Sequence, residues 1–561
     1  MKNYEVASLL EEIADLTEII GEEAYKATAY RRAAQSVAKL GADIRQYSQE
    51  GRLREIPGVG PAIAGKIEEI LKTGSCRHLE KLRARVPRSV LGLLKVPGLG
   101  PKTVSLLWNQ ARVASLVDLE EALSGDRLKR IRGIGDKKIA MLKAALGKYR
   151  LLSERTRTLL AMALPVAEDI RERVMAIPGI HRVEIAGSLR RGAETVGDID
   201  IVLSADDVQT ATKRIGELQC VTSASVMRDG MLKASIASQI DAEFLIVQPC
   251  EFIRAWHKMT GSEVHLAQLR EMEQEQPDGY IRSEREIYEA LGLPYIPPEL
   301  REGRGEIEAA RTNTLPALVE ARDIKGDLHT HSNWSDGTAT LEQMAARAKE
   351  LGYEYLAITD HSVSLGVAHG LDVNRLMEQI RTIKQFNEAH KDFRILSGIE
   401  VDIKKDGSLD LPDEVLEQLD IVVASVHSGF SMPGEAMTRR MEAAIENPHV
   451  DIIGHPTGRL LGHREASNID IGALLKKAAE RHCAMEINSS PDRLDLKDVH
   501  ARQAVEMGVK VAINTDAHGL AGLNDMILGI YTARRGWVSR KDVLNCMSLD
   551  ELLEWLAEKH R

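Results

Sequence analysis

Aromatic residues make up only 4% of the 561 positions, and no apolar run is long enough to cross a bilayer. The amino terminus, MKNYEVASLLEEIADL, lacks a basic region followed by an apolar stretch. It does not read as a secretion signal, and the expected location is the cytoplasm, with no membrane partner. Cysteine is sparse as well. Cys76, Cys220, Cys250, Cys483 and Cys546 contain no C-x-x-C pair, which argues against a disulfide framework or a thiolate zinc site.

What is present is a chain with 43% hydrophobic and 28% charged residues. It is long enough for three or four domains and has the composition of a globular protein containing helices. The net charge of −10 is unevenly placed: residues 1–150 hold 27 Lys and Arg against 18 Asp and Glu, so the remainder is strongly acidic. A basic front suits nucleic acid, and an acidic rear suits a carboxylate-rich metal enzyme.

Three segments repeat one pattern: IPGVGPAIAGKI (56–67), VPGLGPKTVSLL (96–107) and IRGIGDKKIAML (131–142). Each sets a Gly-x-Gly turn before an amphipathic helix. Gly58 and Gly60, Gly98 and Gly100, and Gly133 and Gly135 permit left-handed turns and close approach of another chain. Amides at the following helix amino terminus can face a phosphate. This is the helix-hairpin-helix pattern, which grips DNA backbone without reading sequence. From about Leu151 strands enter, and from Gly326 short apolar strands alternate with amphipathic helices in the rhythm of a β/α barrel. The Pro- and Gly-containing stretch 294–323 reads as an ordered connector.

Two constellations carry chemistry. In TVGDIDIVL, Asp198 and Asp200 flank Ile199, so on a strand both carboxylates share a face. Such a pair repels itself unless a cation lies between, and Mg²⁺ favours hard oxygen ligands together with phosphates. The preceding GSLRRG (187–192) offers amides, a hydroxyl and guanidiniums to phosphate oxygens. Together they describe phosphoryl transfer by two metal ions roughly 3.5–4 Å apart. In the second constellation, ligand-type residues stand at successive strand ends: His329, His331, Asp336, His361, Glu400, His427, His455, Asp516 and His518. Mixed imidazole and carboxylate ligands suit Zn²⁺, Mn²⁺ or Fe²⁺.

These motifs carry a resemblance. Residues 1–320 resemble a family X DNA polymerase, the group that includes DNA polymerase beta, and residues 325–561 resemble the PHP phosphoesterases. That fusion is similar to the bacterial and archaeal PolX layout. The resemblance implies a multidomain chain: helical amino-terminal domains with helix-hairpin-helix turns, an α+β nucleotidyltransferase palm with thumb, and a distorted TIM-like β/α barrel. It places a lyase-type domain at 1–85, a DNA-binding fingers-like domain at 86–150, the palm at 151–250, the thumb at 251–315, a linker at 316–325 and the PHP domain at 326–561.

The resemblance also implies site roles. Gly187, Ser188, Arg191, Gly197 and Gly261 would serve the dNTP, and Asp198 and Asp200 would bind Mg²⁺ or Mn²⁺. Lys66 falls at the family's lyase lysine or is a surface lysine touching phosphate. The third palm carboxylate is Asp241 by local wording and Glu243 by counting back from Thr260. Lys258 and Met259 stand where the family has aromatics, and Leu266 where it has an asparagine, which weakens or alters the nucleotide pocket. The nine barrel residues would hold up to three ions, with Asp360 and His369 orienting ligands and Arg459 as a phosphate contact. The leading expectation is a monomeric polymerase with a 3′–5′ exonuclease, and in this family an abasic-site endonuclease, acting on gapped or nicked DNA in base excision repair. The alternative is a metal-dependent nuclease whose polymerase half serves as a DNA-binding platform. A non-catalytic scaffold for DNA ends is the third reading.

Overall fold

The computed structural model describes residues 3–21, 24–38, 40, 44–83, 85–86, 90, 92–95, 99–114, 118–119, 122–123, 128, 139, 141–143, 157–228, 230–238, 240–272 and 281–559. It divides into two compact units, residues 1–157 with 236–240, and residues 158–235 with 241–561. Among the described residues no helix is long and apolar enough to cross a membrane. Among the described residues no disulfide joins the cysteines; Cys250 is exposed and the other four are buried.

The first unit is helical: α1 (Asn3–Ile20), α2 (Ala24–Ala38), α3 (Ile44–Gln49), α4 (Pro61–Thr73), α5 (Arg77–Arg83) and α6 (Pro101–Ala111). Its core follows the 3.6-residue period: Val6, Leu10, Ile13 and Thr17 form one buried stripe of α1. Helices α4 and α6 begin alike, each with a glycine cap in extended conformation, Gly60 and Gly100, followed by proline in the first turn. Proline is preorganised for that position and has no N–H of its own, and the Ile63 and Thr103 N–H groups donate to the Gly60 and Gly100 carbonyls at 3.0 and 2.9 Å. Gly58 sits at φ +82°, and a Cβ there would lie 2.9 Å from Arg32 Cγ, so this turn closes onto α2. Gly98, Gly133 and Gly135 lie outside the described residues.

The second unit begins with β1 (Thr158–Leu159), α7 (Leu160–Met175), β2 (Ile180–Ile185), α8 (Gly187–Arg190), β3 (Thr195–Val196), β4 (Ile199–Ala205), α9 (Val208–Gly216), β5 (Val221–Arg228), β6 (Met231–Ile236) and β7 (Asp241–Val247). Five strands form one sheet in the order β2-β4-β7-β6-β5. Strands β4 and β7 run parallel, which puts Asp200 opposite Glu243. Helices α10 (Phe252–Thr260), α11 (Glu263–Met272), α12 (Glu284–Ala290) and α13 (Glu306–Arg311) follow and pack around Tyr288, Leu293, Ile296 and Leu300. The stretch 294–323 is more than a connector, because it contributes buried Arg301 and Glu306 to this cluster.

The remainder is a barrel of seven parallel strands, β8 (Gly326–Asp327), β9 (Tyr355–Ile358), β10 (Arg394–Asp402), β11 (Ile421–Ser425), β12 (Ile452–Ile453), β13 (Ala484–Asn488) and β14 (Val511–Asn514), in sequence order. Its seam is joined just past the first and last strands: Asp516 N–H donates to the His329 carbonyl at 3.0 Å and His331 N–H to the Ala517 carbonyl at 2.9 Å. The barrel is one strand short of the eight-stranded form. Apolar residues such as Leu328, Ala357, Val423 and Ala484 fill it, packed with Leu552, Trp555 and Leu556 of the last helix, α21 (Leu549–Lys559), numbered after α14 (Leu341–Glu350), α15 (Val373–Ala389), α16 (Asp413–Leu416), α17 (Gly434–Glu446), α18 (Ile471–Glu480), α19 (Asp498–Glu506) and α20 (Met526–Arg535).

Candidate metal centres

The first centre stands where β2 hands over to α8. The Ala186 N–H donates to the Asp200 carbonyl at 2.8 Å, and a Cβ on Gly187 would lie 1.7 Å from Asp200 Oδ2. Only glycine lets the phosphate-type loop close onto this carboxylate. Glu243 lies opposite Asp200 in the β4–β7 ladder, whereas Asp241 lies two residues down the strand and accepts the Ser235 hydroxyl at 2.9 Å. Lys233 Nζ is 3.5 Å from Glu243 and 3.9 Å from Asp241. Burial, then the Asp198 and Glu243 charges, push the Asp200 carboxyl up to about 7. A cation between the acids would relieve this repulsion, so the donor set fits a hard divalent ion.

The two arginines of the loop differ in their partners. Arg190 stacks 3.4 Å from the Trp256 ring centroid and binds Glu284 through both terminal nitrogens, at 3.0 and 2.6 Å. Arg191 donates to Glu302 at 2.9 Å and to the Thr260 carbonyl at 2.8 Å, next to Gly261. Leu266 crowds Gly261, where a Cβ would lie 2.9 Å from its Cδ2. Lys258 is exposed, and Met259 is half-buried against the apolar cluster that holds Phe252 and Ile253. Gly197 is exposed with open space around it, and Ser188 is half-buried. In the first unit, Lys66 Nζ donates to the Ala62 carbonyl at 3.2 Å and lies 5.6 Å from the Tyr30 ring.

The second centre forms at the carboxyl ends of the barrel strands, and all nine expected residues meet there. Glu400, buried at the end of β10, is its hub. His455 Nε2 is 3.0 Å, His427 Nε2 3.2 Å and His329 Nε2 3.5 Å from one of its oxygens; His361 Nδ1 is 2.7 Å and His331 Nε2 3.7 Å from the other. Asp516 is 3.0 Å from His331, and His518 is 3.4 Å from Asp336. Three groups have their donor atoms within 4.8 Å of one another: His331, Asp336, His361 and His518; His329, His331 and Asp516; His361, Glu400 and His427.

The chemistry of this donor set fits several cations. Buried His329 Nε2, His331 Nδ1, His361 Nδ1, His455 Nδ1 and Glu400 Oε2 make no hydrogen bond although their neighbours are close. Unpartnered buried nitrogen and oxygen atoms converge here, a donor set that suits bound cations. His455 and Asp516 also sit at positive φ, +27° and +55°, a backbone conformation kept only where the surroundings impose it.

A supporting layer aims these ligands. Glu486, in the middle of β13, is fully buried; it lies 2.7 Å from His329 Nδ1 and accepts the His455 N–H at 2.6 Å and the Asn514 amide at 3.0 Å. A carboxylate only accepts, so the proton stays on Nδ1 and His329 Nε2 faces the centre with its lone pair. Asp360 accepts Ser332 N–H, Ser332 hydroxyl and Gln379 amide at 2.8, 2.6 and 2.6 Å, fixing the turn between His331 and Asp336. His369, in contrast, is exposed and offers its carbonyl to Arg375.

The sequence-stretch AMEIN around Glu486 reads only as a strand; an acid at the centre of a fully buried strand is the signal it offers. Arg459 does not face the centre: it donates to the Arg493 and Leu494 carbonyls and, at 2.7 Å, to Glu194. It is Arg493 whose Nε lies 3.7 Å from Asp516 Oδ2.

Comparisons with known proteins agree with this arrangement. Family profiles match as a helix-hairpin-helix domain over 1–76, a SAM-like helix-hairpin-helix tandem over 90–148, a DNA polymerase beta palm over 164–252, a DNA polymerase beta thumb over 273–302 and a PHP domain over 327–490. The chain is 38% identical to the DNA polymerase/3′-5′ exonuclease PolX of Bacillus subtilis, over 99% of both proteins. A probable phosphatase of Thermoanaerobacter sp. is 33% identical over 42% of this chain and 95% of its own length. One from Caldanaerobacter subterraneus is 32% identical over 42% of this chain and 92% of its own.

Proposed function

The chain belongs to the PolX family, a family X polymerase core joined to a PHP domain, and on that premise we propose that it fills short DNA gaps with dNTPs and trims 3′ ends in base excision repair. The observation that carries the reading is the coexistence of two separate donor sets, carboxylates closed over by the Gly187 loop and nine convergent ligands with Glu400 as their hub.

At the palm, Asp198, Asp200 and Glu243 would hold Mg²⁺ or Mn²⁺, which supply charge for activating a 3′-hydroxyl and for the leaving pyrophosphate. Glu243 is favoured over Asp241 because it lies across from Asp200. The Gly187 and Ser188 amides, the Ser188 hydroxyl and Arg191 bind triphosphate oxygens. Gly197 and Gly261 leave room for the nucleotide. At the barrel, the nine ligands would hold up to three Zn²⁺, Mn²⁺ or Fe²⁺ ions, which supply the charge for phosphodiester hydrolysis. Glu486 and Asp360 orient the ligands, and Arg493 contacts the scissile phosphate. An abasic-site incision belongs to the same centre.

Gly60 and Gly100, exposed at the starts of α4 and α6, support binding to DNA phosphates; Gly98, Gly133 and Gly135 are assigned the same role from their pattern alone. Lys66 sits beside that first turn, on α4, and contacts DNA phosphate or the sugar end. The protein acts as a cytoplasmic monomer.

Leu266 against Gly261 and exposed Lys258 favour a second reading, in which nucleotide binding is weak and the polymerase half mainly holds DNA. One assay on a one-nucleotide gap tests both. Asp198→Ala with Asp200→Ala should abolish extension and spare 3′ trimming, and His329→Ala with His331→Ala should do the opposite. Extension surviving in the first double variant removes the polymerase assignment. Wild-type protein that trims but does not extend with Mg²⁺ or Mn²⁺ selects the second reading.

A further inference from the structure

The Gly187–Gly192 loop rests on the barrel as well as on the palm. Gly192 is at φ +64°, and a Cβ there would fall 2.6 Å from Tyr531 Cδ1 of α20. One turn further along α20, Arg535 donates Nη1 to the Arg191 carbonyl at 3.0 Å and to Glu302 Oε1 at 2.6 Å. That same Glu302 oxygen accepts Arg191 Nε at 2.9 Å. Asp498 holds the other side of Arg535 at 3.1 Å and also pairs with Arg304 at 2.8 Å. The shared contact is largely closed to water, with side-chain exposures of 9% for Arg535, 14% for Arg191 and 16% for Glu302.

We propose that Arg535, a barrel residue, is a positioning residue for the nucleotidyl-transfer site, setting Arg191 and its loop for a nucleoside triphosphate by sharing Glu302. The inference rests on the polymerase reading above. Arg191, Arg535 and Arg304 set three positive charges against Glu302 and Asp498, so the cluster keeps one net positive charge beside the loop. Without Arg535 the cluster is neutral, Glu302 is left to Arg191 alone, and the Arg191 carbonyl loses its donor. An arginine whose charge and donors are spent on a carboxylate is a poorer phosphate ligand.

The test uses the full-length chain and a one-nucleotide-gapped duplex. Steady-state extension with dTTP and Mg²⁺ gives kcat and KM, and equilibrium binding of dTTP with Ca²⁺ gives Kd. Arg535→Ala should raise both KM and Kd roughly tenfold while kcat changes less than about twofold. Arg535→Lys, which keeps the charge but cannot reach all three partners, should fall between. Arg535→Ala combined with Glu302→Gln should recover most of the lost affinity, because Arg191 regains its charge. A purely structural role predicts the reverse, further loss in the double variant. Arg534→Ala is the control: Arg534 ties the barrel to Glu299 at 2.7 Å and the Val319 carbonyl at 2.9 Å and has no hydrogen bond to the loop, so dTTP affinity should stay at the wild-type value. Unchanged KM and Kd in Arg535→Ala, or a double variant weaker than the single one, overturns the proposal. Wild-type protein that binds dTTP without extending the primer removes the polymerase reading, while the Kd comparison still decides the role of Arg535.

Discussion

Replacing Asp200 with asparagine should stabilise the protein while abolishing extension, and the gain should grow with pH. Burial, with Asp198 and Glu243 next, raises this carboxyl from 3.8 to about 7. The folded state therefore binds the proton more tightly than the unfolded chain. The stability linked to this group is fully present below about pH 4 and is lost as pH rises through about 7. At about 1.4 kcal/mol per pKa unit, the stability lost relative to low pH is roughly 1.5 kcal/mol at pH 5, where the folded carboxyl still holds its proton, and about 4 kcal/mol at pH 8. Asparagine keeps the shape and carries no charge. The difference between variant and wild type should thus widen by roughly 2.5 kcal/mol from pH 5 to pH 8.

Hydrogen exchange of the Ile199–Ala205 strand reads this locally, comparing both chelator-treated proteins at each pH. Added Mg²⁺ should narrow the gap, because the wild-type carboxylate gains a cation that asparagine holds poorly. A gap equal at the two pH values, or faster exchange in the variant at pH 8, would refute the account of three crowded carboxylates.

Three further outcomes test the remaining assignments. Glu243→Gln should lower kcat for gap filling on the order of 100-fold, whereas Asp241→Asn should cost only a few-fold, because only Glu243 lies opposite Asp200; equal losses would place both acids in the site. Glu486→Gln should weaken metal retention at the barrel about 10–100-fold, measured by metal analysis during dialysis against chelator, while extension persists. Arg493→Ala should reduce 3′ trimming kcat/KM about 10–100-fold with bound metal unchanged, as expected for loss of a charged phosphate contact; trimming at the wild-type rate would leave Arg493 as support for the loop alone.

Local spacing made much of this legible. In D-x-D only Asp200 lies on β4, with Asp198 just before it, and His329 and His331 follow β8; most of the barrel ligands are legible because they stand at or just past the end of an apolar strand, with Asp336 in the turn after His331. Asp241 against Glu243 stays open in the sequence, since both point to one face of β7. The choice is made by register with β4, a partner 43 positions earlier at Asp200. Glu486 is hidden for a different reason: it binds no expected ion, and its role comes from His329 and His455, brought to it only when the barrel forms.

Arg459 and Arg535 show where sequence reasoning stops. Both are barrel residues, and each pairs with an acid outside the barrel. Arg459 pairs with Glu194 and Arg535 with Glu302 and the Arg191 carbonyl. Glu194 lies two residues after the Gly187–Gly192 loop, so two barrel arginines hold the segment from Arg191 to Glu194. The loop that Arg459 grips through the Arg493 and Leu494 carbonyls also carries Arg493 toward Asp516 of the barrel centre. Arg459 thus has one hand on the turn before the palm acids and the other on the loop beside the barrel ligands. Partly buried charge pairs of this kind are costly to break singly, because the remaining charge is left unpaired. The domain contact is therefore built into the geometry of both centres, and a substitution at Arg459 should disturb extension and trimming together, which no variant confined to one ligand set would do.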